Sequence, residues 1–406
     1  MSRPRLLVVT PYAYPAERWG GPVPAIHQWC EALAERGWSL RILTTDADVD
    51  GHVEVALRKP VMQRGLPYEY DHAWTGLPLF VAPHQIASVP RASKDCDLVW
   101  THGLWTVPGL VAAAVARARG LPYVITPHGS LHPWSLKRNA SLKRLLLRTT
   151  EGQRLSHAAA VHFTCEQERE LAASLHPIPR SLIAPCVVTP PKPEEPMDAR
   201  AWLGIEAGAP LVLYMSRVHP KKGVDLLIDA FATLPQESHL VIAGPGEPDY
   251  LAERRAQARA CGVEARVHFP GMVTGPHKQA LLQQSRVFCL PSHQENFGIV
   301  VPEAMLSGLP VVLSRHVDIW SEVVGADAGI DVDMTPASIA DALHRLISDE
   351  PEARSMGERG RRYATHAYAS AQIGETLDRH FRDLTQTPPQ HRAPATRYPT
   401  GETCPD

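Results

Sequence analysis

Two α/β domains, each built on a mainly parallel sheet, are what the amino-acid sequence predicts, and three observations carry that reading. The chain has 406 residues, more than one core of roughly 100–200 residues accommodates. Short apolar runs alternate with helical patterns along almost its whole length, as in strands linked by crossover helices. Midway, residues 185–197 read PCVVTPPKPEEPM; proline removes backbone donors and fixes φ, so neither a helix nor a central strand continues through them. Two such units joined by a hinge leave a cleft, and ligands of such sheets bind beyond the carboxyl ends of the strands.

In the first half, Arg5–Thr10 reads as a buried strand, followed by a long loop through Gly20-Gly21 and a helix over Val23–Arg36 that Gly37 stops. Further strands are expected at Ser39–Thr44, Leu98–Thr101, Tyr123–Thr126 and Ala160–Thr164, with a helix at Pro108–Arg119. After the break the alternation restarts, with strands at Leu211–Ser216, His239–Ala243, Arg266–Phe269, Val287–Leu290 and Pro310–Ser314. Helices are expected at Val224–Leu234, Asp249–Cys261, His277–Ser285, near Glu303–Ser307 and at Ser338–Ser348. The boundaries that follow are a first domain over 1–188, a linker over 189–198 and a second domain over 199–362. Residues 385–406, proline-rich and nearly devoid of aliphatic side chains, are expected to be a disordered tail.

Composition narrows the function classes. Hydrophobic residues make up 44% and charged residues 21% of a chain whose net charge is −2; a nucleic-acid-binding protein normally carries a strong basic excess. The seven cysteines are odd in number, scattered and never spaced Cys-x-x-Cys, which favours reduced cytosolic thiols over a disulfide framework or a zinc ribbon. Leu6–Val9 is too short for a signal-peptide core, and no stretch approaches the roughly 20 apolar residues of a membrane span. A cytoplasmic protein, at most peripheral to a membrane, is expected.

The most informative segment is PSHQENFGIVVPEAMLSGLPVV, residues 291–312. A strand runs into a loop carrying Glu295, Asn296, Phe297 and Gly298, and a helix carrying Glu303 follows. Free N–H groups at a helix start, with a glycine allowing close approach, suit a diphosphate. The two carboxylates act from different elements, and one near the helix start can accept two hydrogen bonds from vicinal ribose hydroxyls. In MSRVHPKKGV, residues 215–224, Arg217 and Lys222 converge on one strand end, where they can neutralise a leaving diphosphate.

Arg217…Lys222-Gly223, followed by Pro291-Ser292…Glu295-x-Phe297-Gly298…Glu303-Ala304-Met305…Gly308-x-Pro310-Val311, resembles the donor-sugar domain of the family-4 retaining glycosyltransferases. Weaker similarity covers most of residues 1–384. The resemblance implies the GT-B fold, two Rossmann-like domains facing across a cleft, and a UDP- or GDP-linked sugar as substrate with no cofactor. It implies that Arg217 and Lys222 hold the diphosphate, that Glu303 binds the ribose and that Glu295, Asn296, Phe297 and Gly298 contact the sugar and phosphate. Met272 and Val273 would lie against the base, and Gly20-Gly21 would close over the phosphates. One departure is Ser216, where the family usually has Gly. The family's terminal pattern implies that 363–384 forms helices returning to the first domain.

Thr101-His-Gly-Leu-Trp105 and Thr126-Pro-His-Gly-Ser-Leu-His-Pro-Trp134 closely resemble a bacterial subgroup that builds exopolysaccharides and lipopolysaccharide O-antigens. That likeness makes His128 the group nearest the anomeric centre, catalytic together with Glu295, Arg217 and Lys222. It assigns His102, Trp105 and Trp134 to an acceptor pocket for a saccharide or a polyprenyl-diphosphate-linked sugar. Lys137 to Arg154, KRNASLKRLLLRTTEGQR, reads as a basic amphipathic helix that can rest on anionic lipid.

Other signals fail. Asp46-x-Asp48-x-Asp50-Gly51 begins like a calcium loop, but position twelve is Leu57 rather than Glu. The Asp-x-Asp triplets at 46–48, 95–97 and 331–333 lack the rest of the metal-dependent transferase pattern, so no metal is assigned to the reaction. The alternative readings are a sugar-nucleotide epimerase or phosphorylase on the same fold, or a non-catalytic two-lobed sugar or nucleotide binding protein.

Overall fold

The computed structural model describes residues 3–74, 77, 79–137, 139–190 and 195–387. The chain divides into two units: Met1–Ala184 with the described residues from Gly374, and Pro185–Ile373.

In the first unit the strands are β1 (Arg5–Val9), β2 (Ser39–Thr45), a short hairpin of β3 (Ala47–Asp48) and β4 (Gly51–His52), β5 (Pro60–Gln63), β6 (Leu66–Asp71), β7 (Leu98–His102), β8 (Tyr123–Thr126), β9 (Ala160–Phe163) and β10 (Ser181–Ile183). Eight of them form one sheet in the order β10-β9-β8-β7-β1-β2-β6-β5, parallel except for the β5–β6 pair at one edge. The central strands are apolar on both faces because helices cover both: Leu6–Val9 and Leu98–Trp100 are buried. Helix Pro22–Glu35 opens on proline in its first turn and ends before Gly37, whose φ of +86° favours glycine. The β3–β6 region and helix Pro83–Ala92 were not among the expected elements. Their polar alternation and internal Pro90 blur both periodicities.

The second unit holds β11 (Leu211–Met215), β12 (His239–Ala243), β13 (Val267–Gly271), β14 (Val287–Leu290), β15 (Val311–Ser314) and β16 (Gly329–Val332), all parallel, in the order β13-β12-β11-β14-β15-β16. This is the 3-2-1-4-5-6 order of a doubly wound nucleotide-binding sheet.

The return to the first unit comes later than the resemblance implied. Helix Glu350–Ala367 belongs to the second unit, and the switch falls at Gly374, inside helix Ser370–Gln386. There Phe381 packs edge-on against Trp38 and Trp100, and Asp378 accepts the Trp38 indole N–H at 2.7 Å. That helix also carries 385 and 386, so the expected tail begins too early; the rest of it, 388–406, lies outside the described residues. The six described cysteines are unbridged. No described helix is long and apolar enough to cross a membrane.

Candidate active site

In the second unit, strand order makes the site. β11 and β14 are neighbours although β12 and β13 intervene in the chain, so the crossovers diverge between them and a crevice opens beyond their carboxyl ends. The loop after β11 carries Arg217 to Gly223, and the loop after β14 carries Pro291 to Gly298. Gly223 has φ +64°, and a Cβ there would stand 2.1 Å from the Pro291 carbonyl oxygen, so glycine is what lets the two loops meet. The His293 N–H donates to the Lys221 carbonyl at 2.8 Å and fastens them.

Lys222 is buried, with its ammonium paired to Glu295. Glu295 is fixed through its backbone, its N–H donating to His316 O and its carbonyl accepting from Asp318 N–H, both at 2.9 Å. Gly298 keeps room for it: a Cβ there would lie 2.9 Å from the Glu295 Cγ. Phe297 is buried edge-on against Tyr368, ring centroids 5.6 Å apart. Arg217 is exposed, and its guanidinium has no partner among the described residues. Between these two cations sits Lys221, which the sequence reading passed over. Burial, and then the Lys222 charge with Arg217 adding to it, hold its ammonium down at about 8, against the opposing pull of Glu295 and Asp318. Three cations against two carboxylates, Glu295 and Asp318, leave the crevice short of negative charge.

Glu303 stands in the first turn of helix Val300–Leu306, on a different element from Glu295, and accepts from the Lys278 ammonium at 2.7 Å. Past β13, Met272 is 70% exposed while Val273 is buried.

The first unit has its own switch point, where β1 lies between β2 and β7. Gly20 (φ +80°) and Gly21 end the loop after β1, beside Trp19, which stacks on Tyr12 with centroids 4.7 Å apart. His102 closes β7 and His128 follows β8, with Nδ1 of the former 3.0 Å from Nε2 of the latter. His102, expected to line an acceptor pocket, is buried, stacked on Trp29 with Trp100 beside it, and its polar contact is with His128. His128 adopts φ +52°, rare outside glycine, and the next N–H, of Gly129, donates to the buried Glu168 at 2.9 Å.

The protonation states follow from partners. His162 donates from Nε2 to the Ala184 carbonyl (2.8 Å), so its Nδ1 accepts the Thr126 hydroxyl (2.9 Å), which accepts the Trp100 indole N–H (2.8 Å). The Nε2 of His102 is buried with no partner, and an orphaned N–H is rarer than an unused lone pair. His102 therefore carries its proton on Nδ1 and donates to His128, whose own proton sits on Nδ1. Burial first, then neighbouring imidazoles, push His128 down to about 3 and His102 well below its ordinary value; burial takes His162 down to about 4. All three are neutral at pH 7.

Trp105 is half-buried at φ +64°, its N–H donating to Glu151 at 2.8 Å, and Trp134 is exposed with the Lys137 ammonium 5.1 Å over its ring. The single basic helix expected over 137–154 is corrected. The segment breaks at Asn139 (φ +57°) and Thr149 into helices Pro133–Lys137, Ala140–Arg148 and Thr150–Ser156. Arg154 turns inward to pair with Glu151 and to donate to Thr101 Oγ1 (2.7 Å) and Gly103 O (3.3 Å). Trp29, His162, Glu168 and this buried pair were missed, because nothing in their spacing marks which helix face reaches a strand end.

Two doubly wound units with these loops define a nucleotide-sugar transferase fold, GT-B. Sucrose-phosphate synthase from Thermosynechococcus elongatus superposes with a TM-score of 0.72 at 23% identity, over 94% of this chain and 99% of that one. Anabaena HepE in complex with UDP gives 0.73 at 19%, over 93% and 100%. The sequence profile for glycosyl transferases group 1 matches residues 198–363, and that for the glycosyl transferase 4-like domain matches 20–212. The chain belongs to this family, the family-4 GT-B glycosyltransferases. D-inositol 3-phosphate glycosyltransferase of Xylanimonas cellulosilytica is 34% identical over 46% of this chain and 45% of its own length; the chain spans about half the length of this relative and of that from Corynebacterium urealyticum, and 86% of the one from Kineococcus radiotolerans, at 28% identity.

Proposed function

We propose that the protein is a retaining, metal-independent glycosyltransferase that moves a hexosyl group from a UDP- or GDP-linked sugar to a saccharide or polyprenyl-diphosphate-linked acceptor in cell-surface polysaccharide biosynthesis. The observation that carries this is the switch point of the second unit, where Arg217, Lys221 and Lys222 leave one crevice with uncompensated positive charge. As the bond from the anomeric carbon to the β-phosphate breaks, charge grows on the departing diphosphate, and preorganised cations lower the barrier selectively. The acceptor oxygen bonds the same face of that carbon, and its proton passes to the leaving phosphate. Glu295 and Glu303, each paired with an ammonium, are not an acid and nucleophile pair of the glycosidase kind; they serve sugar and ribose. His128, neutral with Nδ1–H available, acts as a hydrogen-bond donor near the anomeric centre rather than as an acid.

The test is a metal-free thermal-shift panel of UDP, GDP, ADP and CMP. At 100 times Kd a ligand stabilises the native state by about 2.7 kcal/mol. A shift with one nucleotide that Glu303→Ala abolishes supports the donor site, and UDP is the first candidate because HepE was solved with it. No shift with any nucleotide, in folded protein, refutes it. Contact with anionic lipid at the inner face of the plasma membrane rests on the exposed Arg144, Arg148, Leu145 and Trp134. Arg144→Glu with Arg148→Glu abolishes binding to anionic liposomes if that reading holds; retained binding refutes it.

A further inference from the structure

We propose that Asp46, His52 and His72 form a binding site for one divalent transition metal ion of the zinc type. Three separate chain positions are brought together by the sheet. Asp46 directly follows β2 and His72 directly follows β6, and these parallel strands are in register at Thr45 and Asp71. The β3–β4 hairpin then folds back with Ala47 opposite His52, which returns a second imidazole to the same carboxylate. His52 Nδ1 lies 3.0 Å from Asp46 Oδ1 and His72 Nδ1 lies 2.7 Å from Oδ2, with the two rings 4.5 Å apart.

The geometry is that of ligands around an ion. One ligand atom from each residue falls within 4.8 Å of the others; bonds of about 2.0–2.2 Å to a tetrahedral zinc separate ligand atoms by about 3.3 Å, within reach of small side-chain rotations. Asp46 is buried and immobile: its Oδ1 accepts the Ala73 N–H at 2.9 Å, its own N–H donates to Asp71 O at 3.0 Å, and its carbonyl accepts the Val53 N–H at 2.8 Å. The two histidines are partly exposed, so an ion and a completing water can enter from solvent. Two imidazoles and a carboxylate suit zinc, cobalt or nickel; calcium and magnesium prefer all-oxygen sites. On binding, each neutral ring carries its proton on Nε2 and coordinates through Nδ1.

The consequence is mechanical. The hairpin the ion would tie to β6 also braces the loop after β1: Ala47 O accepts the Trp19 indole N–H at 3.2 Å, and Asp50 pairs with Arg18 at 2.5 Å. The site is therefore expected to order residues 17–21 and 46–53 without taking part in sugar transfer.

The test uses the full chain, stripped with chelator and titrated with Zn²⁺ against a chromophoric competitor, with Co²⁺ as a spectroscopic probe. One equivalent of Zn²⁺ is expected to bind with micromolar or tighter affinity, and Co²⁺ is expected to give a visible ligand-field band. His52→Ala combined with His72→Ala abolishes both, while the exposed control His157→Ala leaves both intact. Zn²⁺ also raises amide-exchange protection at 17–21 and 46–53 in the unsubstituted protein. Equal Zn²⁺ affinity in the double variant, or no saturable binding in the unsubstituted protein, overturns the proposal. Should the double variant fail to fold, the exchange map decides: protection elsewhere, or none, overturns it. None of these readouts depends on transferase activity, so failure here leaves the proposed function standing.

Discussion

Lys221 gives the sharpest test of the donor crevice, because its charge is held in an unfavourable state that a diphosphate relieves. In the free protein its pKa is about 8, lowered from 10.5 by burial and by Lys222 and Arg217. A bound diphosphate supplies the missing counter-charge and returns the group toward its ordinary value. Affinity then tracks the protonated fraction of the free protein: about nine-tenths at pH 7, and about one-tenth at pH 9. The nucleotide diphosphate sugar is thus expected to bind about tenfold more weakly at pH 9 than at pH 7, a difference of about 1.4 kcal/mol. Lys221→Arg keeps the charge but does not titrate in this range, so it flattens the profile while retaining affinity; titration of the base itself would survive the substitution. Calorimetry across pH 7–9 on both proteins measures this. A flat profile in the unsubstituted protein, or an undiminished slope in the variant, refutes the argument. Linkage gives a second sign to check: a lysine whose folded pKa is lowered makes the unfolded chain bind more protons between about 8 and 10.5, so the free protein gains stability across that window while losing affinity.

Glu303→Ala removes the proposed ribose acceptor and is expected to weaken nucleotide binding at least about tenfold, from hydrogen bonds to a charged group worth about 1.5–3 kcal/mol; unchanged affinity by calorimetry contradicts the role. His128→Ala spares nucleotide affinity but lowers transfer. His102→Phe fills the same space without the Nδ1–H donor, so steady-state kinetics are expected to show kcat falling roughly five- to tenfold with donor KM unchanged; a loss confined to thermal stability would make His102 packing only. Arg154→Met leaves Glu151 buried without its counter-charge and is expected to cost about 3–5 kcal/mol in denaturant unfolding, because both side chains are almost completely enclosed.

Legibility in the sequence followed the length scale of the interaction. Five of the six strands of the second sheet were readable because most are short runs of Val, Leu and Ile buried on both faces, such as Leu211–Met215 and His239–Ala243, both of which start where expected; the edge strand Gly329–Val332, with a Gly and an Asp among four residues, was missed. Arg217, Lys222 and Glu295 could be placed beyond strand ends because each sits in the loop after a recognisable strand, and Glu303 in the helix that follows. What the sequence concealed were partnerships across distance. Arg154 reads as one more surface cation in a basic segment, yet it lies under the Gly103 loop, a contact 51 residues away in the chain. Asp46 reads as the start of a failed calcium loop, and only the β2–β6 register brings His72 to it. Lys221 was visible as a letter, but its lowered pKa depends on burial that no local pattern reports.

The two units repeat one topological event with different electrostatics. In each, the first strand lies between the second and the fourth parallel strand, and the loops that leave the paired strand ends carry the unusual residues: positive-φ glycines, Arg217 to Gly223 and Glu295 in one, His102, Trp105 and His128 in the other. At the second unit's switch point the surplus charge is cationic and partly desolvated, which suits an anion with several oxygens. At the first, three imidazoles are held neutral by burial among Trp29 and Trp100. Apolar ring faces with a directed N–H suit a hydroxyl-bearing sugar, whose flat face is apolar and whose rim donates and accepts.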